Sequence, residues 1–327
     1  MPRNYNVPQL KKRATTHYMN LPTGSKIGYT IVTGKGDRKP YPVIYLHGGP
    51  GGSITDRTIE MLTPLSDDGY DVFLYDQIGS GQSGRLDNIE DYTVKRHIRD
   101  LEEIIKQLKT EKVILIGQSW GSILAILFTA ENSEKVEKII FTSPGPIYPV
   151  RPELAKTIAP DSFHFRDPYF TNAKGNETAN NLRTRAMNFF ATSFGKKIAS
   201  DKEADDFTTY LNHELNKSTV CDTSKIPKEK AGSGFYAGIM TLKNLYTIED
   251  PRPKILNLKI PVLVMKGQCD NQKWGFTNEY LQLFKNAQLA VIPDAGHYIS
   301  VEQPKLYIET IKSFLSRGSF DQHPKLK

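Results

Sequence analysis

Ser119 stands between Gly117 and Gly121, directly after the apolar run Val113–Ile116 and just before a second one, Ile123–Phe128. A serine hydroxyl attacks an acyl carbon only when a base removes its proton and an acid orients that base. In strand–turn–helix context, Gly-x-Ser-x-Gly is the arrangement that exposes such a hydroxyl. The chain must reverse sharply at the serine. Side chains two residues to either side would collide with the neighbouring strand and helix, and glycine removes them. The hydroxyl is then left beside a helix N-terminus, whose dipole favours developing negative charge.

Two later residues supply the partners. Asp270 closes "GQCD" and His297 lies in "PDAGHYIS", each just beyond an apolar run. Their order, serine then acid then histidine, is the chain order expected of this turn type. The remaining histidines fit less well. His17 precedes the apolar runs, His97 falls in a helical stripe, His323 is in the tail, and His164 and His213 lie in a segment without the strand pattern. Asp294 is the rival acid, but three residues before His297 it reads as a turn former.

The developing oxyanion needs donors. "HGGPGG", His47–Gly52, follows the run "VIYL". Glycine lets a backbone N–H approach a substrate oxygen with no side chain between, so the expected donors are the N–H groups of Gly49 and of Trp120. A phosphate-cradling loop would end in Gly-Lys-Ser/Thr, which this one lacks. His47, at the end of a strand, reads as a structural hydrogen-bonding residue.

These residues must be positioned by regular elements. "THYMNLPTGSKIGYTIV" predicts two strands joined at Pro22-Thr23-Gly24. Short runs that are apolar at every position follow at 43–48, 72–77, 113–118, 138–144, 262–267 and 289–296, as strands covered on both faces require. Helical stripes lie between them, with Ile98, Leu101, Ile104, Ile105 and Leu108 on one face. The alternation predicts an α/β fold with a mostly parallel sheet flanked by helices. It breaks between about Ile147 and Leu258, in a proline-bounded block containing Phe189, Phe190, Phe194, Phe207 and Tyr210. A block of that length is not a loop. The expected organisation is a core over 1–146, a mainly helical cap inserted over 147–258, and the rest of the core over 259–327.

The chain has 327 residues and a formal charge of +7. Part of the excess sits at the ends, in "LKKR" and "HPKLK". With no basic stripe between them, this reads as surface solvation and not as a nucleic-acid footprint. No apolar run reaches the roughly 20 residues that span a bilayer, and the first residues lack a signal-peptide core, so a cytoplasmic location is expected. Two cysteines, Cys221 and Cys269, make no metal motif; one bridge between them is open, and two reduced thiols are the simpler reading. No metal or organic cofactor is implied, the expected partner is a small-molecule substrate, and the oligomeric state is open.

Taken together, "HGGPGG", "YDQIGSGQS", "GQSWGS", "GQCD" and "DAGH" resemble, in order and context, the proline iminopeptidase-like α/β-hydrolases. The likeness covers about residues 26–145 and 260–315. It implies the α/β-hydrolase fold, a triad of Ser119, Asp270 and His297, and an oxyanion hole at Gly49 and Trp120. It also implies that Asp76 and Gln77 buttress the site. Ile78 departs mildly from the arginine that many relatives carry. Family peptidases hold the substrate's free amine with cap carboxylates. Here Glu203, Glu214 and Glu249 are candidates by residue type alone, and each reads more simply as a solvated helix residue.

The cap is instead rich in aromatic residues. Phe163, Phe165, Tyr169, Phe170, Phe235 and Tyr236 are the expected lining of an apolar pocket. The leading expectation is a serine hydrolase of an ester or lactone of a bulky small molecule, with macrocyclic lactone antibiotics such as macrolides as one class. The alternatives are an aminopeptidase releasing N-terminal proline and a non-catalytic ligand receptor of the same fold. Serine at 119 speaks against relatives that use an aspartate nucleophile.

Overall fold

The computed structural model describes residues 4–226 and 231–317. Eight strands form one sheet: β1 (His17–Asn20), β2 (Lys26–Val32), β3 (Val43–Leu46), β4 (Val72–Tyr75), β5 (Val113–Gln118), β6 (Val136–Thr142), β7 (Val262–Gly267) and β8 (Ala287–Ile292). Their spatial order is β1-β2-β4-β3-β5-β6-β7-β8. The β1–β2 and β2–β4 pairs are antiparallel, and all pairs from β4 to β8 are parallel. The parallel strands therefore end along one edge of the sheet, where α/β folds gather their chemistry.

The core is split by the sheet. Ile44, Phe73, Leu115, Ile139 and Val264 join one buried cluster, while their strand neighbours Val43, Val72, Ile114, Ile140 and Leu263 join the other. This is the period of two along a strand, with both faces covered. Helices α1 (Asp56–Leu62), α2 (Pro64–Asp67), α3 (Val94–Gln107) and α4 (Trp120–Glu131) precede the break in alternation. In α3, Ile98, Leu101, Ile104 and Ile105 are buried as the stripe requires, and Thr93 Oγ1 caps the helix by accepting from Arg96 N at 3.1 Å. Helix α4 is buried along nearly its whole length, as befits a helix apolar on every side.

Between β6 and β7 the chain forms α5 (Asn172–Ala179), α6 (Leu182–Phe194), α7 (Asp201–Asn216), α8 (Phe235–Leu245) and α9 (Arg252–Ile255), with no strand among the described residues. Helices α10 (Trp274–Leu283), α11 (Ile299–Glu302) and α12 (Pro304–Arg317) complete the chain. Met187, Ala191, Phe207, Phe235 and Tyr236 bury themselves against the first core cluster. Phe189 and Phe194 instead lie more than half exposed on α6.

Two expectations change. Cys221 and Cys269 are not free thiols: they form a disulfide across 48 residues, with Cα atoms 5.3 Å apart. The fold sets Cys221, after α7, against Cys269, just after β7, two positions whose sequence carries no pairing signal. Arg13 of "LKKR" is not surface charge. Its Nη2 donates to buried Asp76 Oδ2 at 2.8 Å, and its side chain is 9% exposed. His323 and the rest of the basic C-terminal run lie outside the described residues.

Candidate active site

Ser119 follows β5 and precedes α4 with φ 54° and ψ −114°, left-handed for an L-residue. Such a conformation costs about 1–3 kcal/mol and persists only where the surroundings enforce it. Here they do. Ser119 N donates to Thr142 O of β6 at 3.0 Å. A Cβ on Gly117 would sit 2.5 Å from Gly121 O, and one on Gly121 would run into the carbonyls of Leu46 and His47. Both glycines are thus fixed by close approach, for the reason the sequence suggested.

Asp270 and His297 follow β7 and β8. The two loops are laced together, with Gln268 N on Ile292 O and Cys269 N on Ala295 O, each at 2.9 Å. His297 Nδ1 donates to Asp270 Oδ1 at 2.9 Å, with both residues buried. Because Nδ1 holds the proton, Nε2 is left with a lone pair, the form a general base needs. Gln272 N also donates to Asp270 Oδ1, at 3.0 Å. Burial pushes the Asp270 carboxyl up, but the charges of Lys266 and His297 and these hydrogen bonds outweigh it, holding the group well below the usual carboxylate range. Ser119 Oγ makes no hydrogen bond among the described residues. Catalytic contacts in ligand-free sites are commonly loose until substrate binds. Asp294 does not share the site: its side chain is 69% exposed, its φ is 49°, and it pairs with Arg166 at 2.6 Å.

The glycine loop after β3 is held from below. Gly49 has φ 120°, a region open to glycine, and a Cβ there would meet Gly51 N at 2.7 Å. Trp120 begins α4, so its N–H has no helical acceptor. Gln77 ties Trp120 to the loop after β3. Its Oε1 accepts from Trp120 Nε1 at 2.8 Å, its Nε2 donates to His47 O at 3.0 Å, and its N donates to His47 Nε2 at 2.9 Å. His47 is thereby an acceptor at Nε2, and burial pushes its imidazole down from the usual value. Asp76 accepts from Ile54 N at 2.7 Å, from Gln82 N at 2.8 Å and from Arg13.

Two cavities flank these residues. One of about 180 Å³ runs from Gly49, Gln118 and Tyr298 to Thr209, Asn212 and His213 of α7. Its wall thus includes Gly49 itself and the sequence neighbours of Ser119 and His297. The other, about 690 Å³, lies on the far side of Asp270 and includes Lys266, Phe165, Phe170 and Trp274. Of the six aromatic residues expected to line a pocket, only Phe165 and Phe170 line either cavity. Phe163 stacks with Phe165 and Trp274, Tyr169 is 84% exposed, and Phe235 and Tyr236 pack in the core. Two of the six thus line a cavity, and the cavity that reaches Gly49 and Gln118 is walled by polar groups together with the apolar side chains of Met61 and Val301.

Sequence reasoning missed two charged residues. Lys266, buried on β7, places Nζ 3.4 Å from Asp270 Oδ2. Glu302, on α11, accepts from Cys221 N at 2.9 Å, Asp222 N at 2.9 Å and Gly296 N at 2.6 Å. A charged residue inside an all-apolar strand run is the signal that could have found Lys266. Among the described residues no group of His, Cys, Asp and Glu is placed to hold a metal ion, and no helix is long and apolar enough to cross a membrane.

A model of the alpha/beta hydrolase fold matches residues 41–304. A proline iminopeptidase of Lactobacillus helveticus is 36% identical over 309 residues, covering 90% of this chain and 94% of that one. A proline iminopeptidase of Saccharolobus solfataricus is 25% identical over 299 residues, 90% of each. Among solved structures, an alpha/beta fold family hydrolase from Bacillus anthracis str. Sterne superposes with a TM-score of 0.63 at 21% identity, over 91% of this chain and 98% of that one.

Proposed function

This chain belongs to the alpha/beta hydrolase fold family, and on that premise we propose that it is a serine hydrolase working through an acyl-enzyme. Ser119 is the nucleophile, His297 the base and Asp270 the acid that fixes the base's tautomer. The observation that carries this reading is the 2.9 Å bond between His297 Nδ1 and Asp270 Oδ1, on the same sheet edge as a serine held at φ 54°. His297 Nε2 takes the Ser119 proton as Oγ bonds to the carbonyl carbon, whose oxygen becomes the oxyanion. The N–H groups of Gly49 and Trp120 receive it. The imidazolium then protonates the leaving group, and the neutral imidazole draws a proton from the water that releases the acid. Losing one oxyanion donor typically costs about 100- to 1,000-fold in turnover.

For the substrate, an ester or lactone of a small molecule is favoured, with macrolide-type macrocyclic lactones as one class. An aminopeptidase needs a carboxylate available for the substrate's ammonium. Glu203 is held by Arg183, Glu214 pairs with Lys217 at 2.6 Å, and the exposed Glu249 lies 3.8 Å from Lys254. The cavity beside Gly49 and Gln118 has no carboxylate in its wall among the described residues. Its polar groups, among them Ser53, Thr58, Thr209 and Asn212, can bond the oxygens of an ester or lactone, and Met61 and Val301 give it an apolar share. A second reading, release of N-terminal proline, is supported by the name of the relative that is 36% identical.

A panel of aryl esters, macrolactones and a proline arylamide separates the two. The ester reading expects turnover of esters or lactones that needs no free amine. Turnover confined to the arylamide, and lost when its amine is acylated, would transfer the assignment to the peptidase.

A further inference from the structure

The third charged group of the site lies behind the acid. Asp270 presents Oδ1 to His297 and Oδ2 to Lys266, whose Nζ is 3.4 Å away and also donates to Gln272 O at 2.7 Å. The Lys266 side chain is 3% exposed and that of Asp270 is 0% exposed. The ring of Phe165, from the inserted segment, lies with its centroid 5.4 Å from Nζ and closes the ammonium off on that side. Among the described residues a single carboxylate lies close enough to balance this buried cation, and it is the one that orients the base. Other charges face the group from further out. Lys273, paired with Asp167 at 3.9 Å, repels Lys266, Arg166 is engaged by Asp294, and Glu302 is engaged by backbone N–H groups beneath Gly296.

We propose that Lys266 is a positioning residue that keeps Asp270 ionised while partly neutralising it, so that His297 remains an unprotonated base at more acidic pH than an Asp–His pair alone would allow. The electrostatics give the sign. Two unit charges this close, at the effective dielectric of buried sites, interact by several kcal/mol. With the ammonium in place, the carboxylate attracts a proton onto His297 less strongly. Remove it, and the buried negative charge has only the imidazolium to balance it, so protonated His297 gains. Burial holds the Lys266 ammonium below the usual lysine value, and the Asp270 charge offsets that fall only in part.

The inference rests on the serine-hydrolase reading, so the test uses a readout that examines both. The rate of Ser119 modification by a fluorophosphonate is followed from pH 5 to 9 in the full chain and in Lys266→Met. The expected result is an acid limb about one pH unit higher in Lys266→Met, a tenfold slower reaction on that limb. A folded Lys266→Met whose acid limb coincides with that of the parent overturns the proposal and leaves the hydrolase reading standing. No labelling of the parent chain overturns both. Should Lys266→Met not fold, the 15Nζ shift of Lys266 in the parent chain decides the matter. An ammonium throughout the pH range of full labelling supports the proposal, and a neutral amine there overturns it.

Discussion

His297 Nδ1 and Asp270 Oδ1 are 2.9 Å apart although 27 residues separate them in the chain. Strands β7 and β8 run parallel in register, Gly267 beside Ile292, so the loops after them start side by side. Asp270→Asn keeps the shape but offers Nδ1 an amide instead of a carboxylate. We expect fluorophosphonate labelling to fall by about 10,000-fold, the size of the loss when the acid of a Ser-His-Asp triad is neutralised. Melting temperature should fall as well, because Lys266 loses its buried counter-charge. Labelling within tenfold of the parent rate would remove Asp270 from the mechanism.

Gly121→Ala tests the turn. Its new Cβ would press into the carbonyls of Leu46 and His47, which are held in the sheet and the oxyanion loop. Neither can retreat without breaking β3, so little soluble protein is expected. Gly36→Ala is the control. Nothing lies within 4 Å of its Cβ, and φ 63° leaves only local strain, about 1 kcal/mol. Equal soluble yields and melting temperatures for the two variants would contradict the close-approach account.

The Cys221–Cys269 disulfide fastens the inserted segment to the residue before Asp270. Glu302 holds the same junction by bonding Cys221 N, Asp222 N and Gly296 N. A bridge closing 48 residues is expected to contribute about 2–4 kcal/mol by restricting the unfolded chain. Cys221→Ser with Cys269→Ser should therefore unfold at lower urea concentration, and dithiothreitol should shift the parent chain toward the same midpoint. Identical midpoints in all three cases would show that the bridge does not form in solution.

Burial pushes the Asp100 carboxyl up to about 6, against the opposing hydrogen bonds from Thr23 and Ser25. The folded chain therefore retains a proton that the unfolded chain has already released. Stability from this group is full below the ordinary carboxylate value, declines as pH rises to about 6, and is level above it, a loss of up to about 3 kcal/mol. Asp100→Asn can still accept from Thr23 and should be the more stable protein at pH 7, by urea denaturation, with little difference at pH 3.5. A variant less stable than its parent at pH 7 would reverse the sign of this assignment.

What the sequence disclosed and what it withheld follow from range. Ser119, Asp270 and His297 were legible because each ends a fully apolar run, and parallel strands bring such ends to one edge. Gly117 and Gly121 were legible because backbone contact leaves no other choice. The disulfide was not, since two cysteines in a long insertion and a distant loop have no local signature. Lys266 was obscured by the convention that lysine is surface, which fails when a buried carboxylate awaits it. Arg13 was obscured the same way, by Asp76. Aromatic composition does not by itself separate core from wall. Phe235 and Tyr236 fill the core beneath the insertion, and the cavity that reaches Gly49 and Gln118 is lined by residues scattered along the chain from Tyr45 to Val301.

The central claim is that Ser119 is a nucleophile activated by His297. It is tested most directly by treating the full chain with a fluorophosphonate and mapping the adduct by peptide mass spectrometry. The account predicts one adduct per chain on Ser119, none on Ser119→Ala, and labelling slowed at least 1,000-fold in folded His297→Ala. An unmodified Ser119 in folded protein, or labelling indifferent to His297, would contradict it.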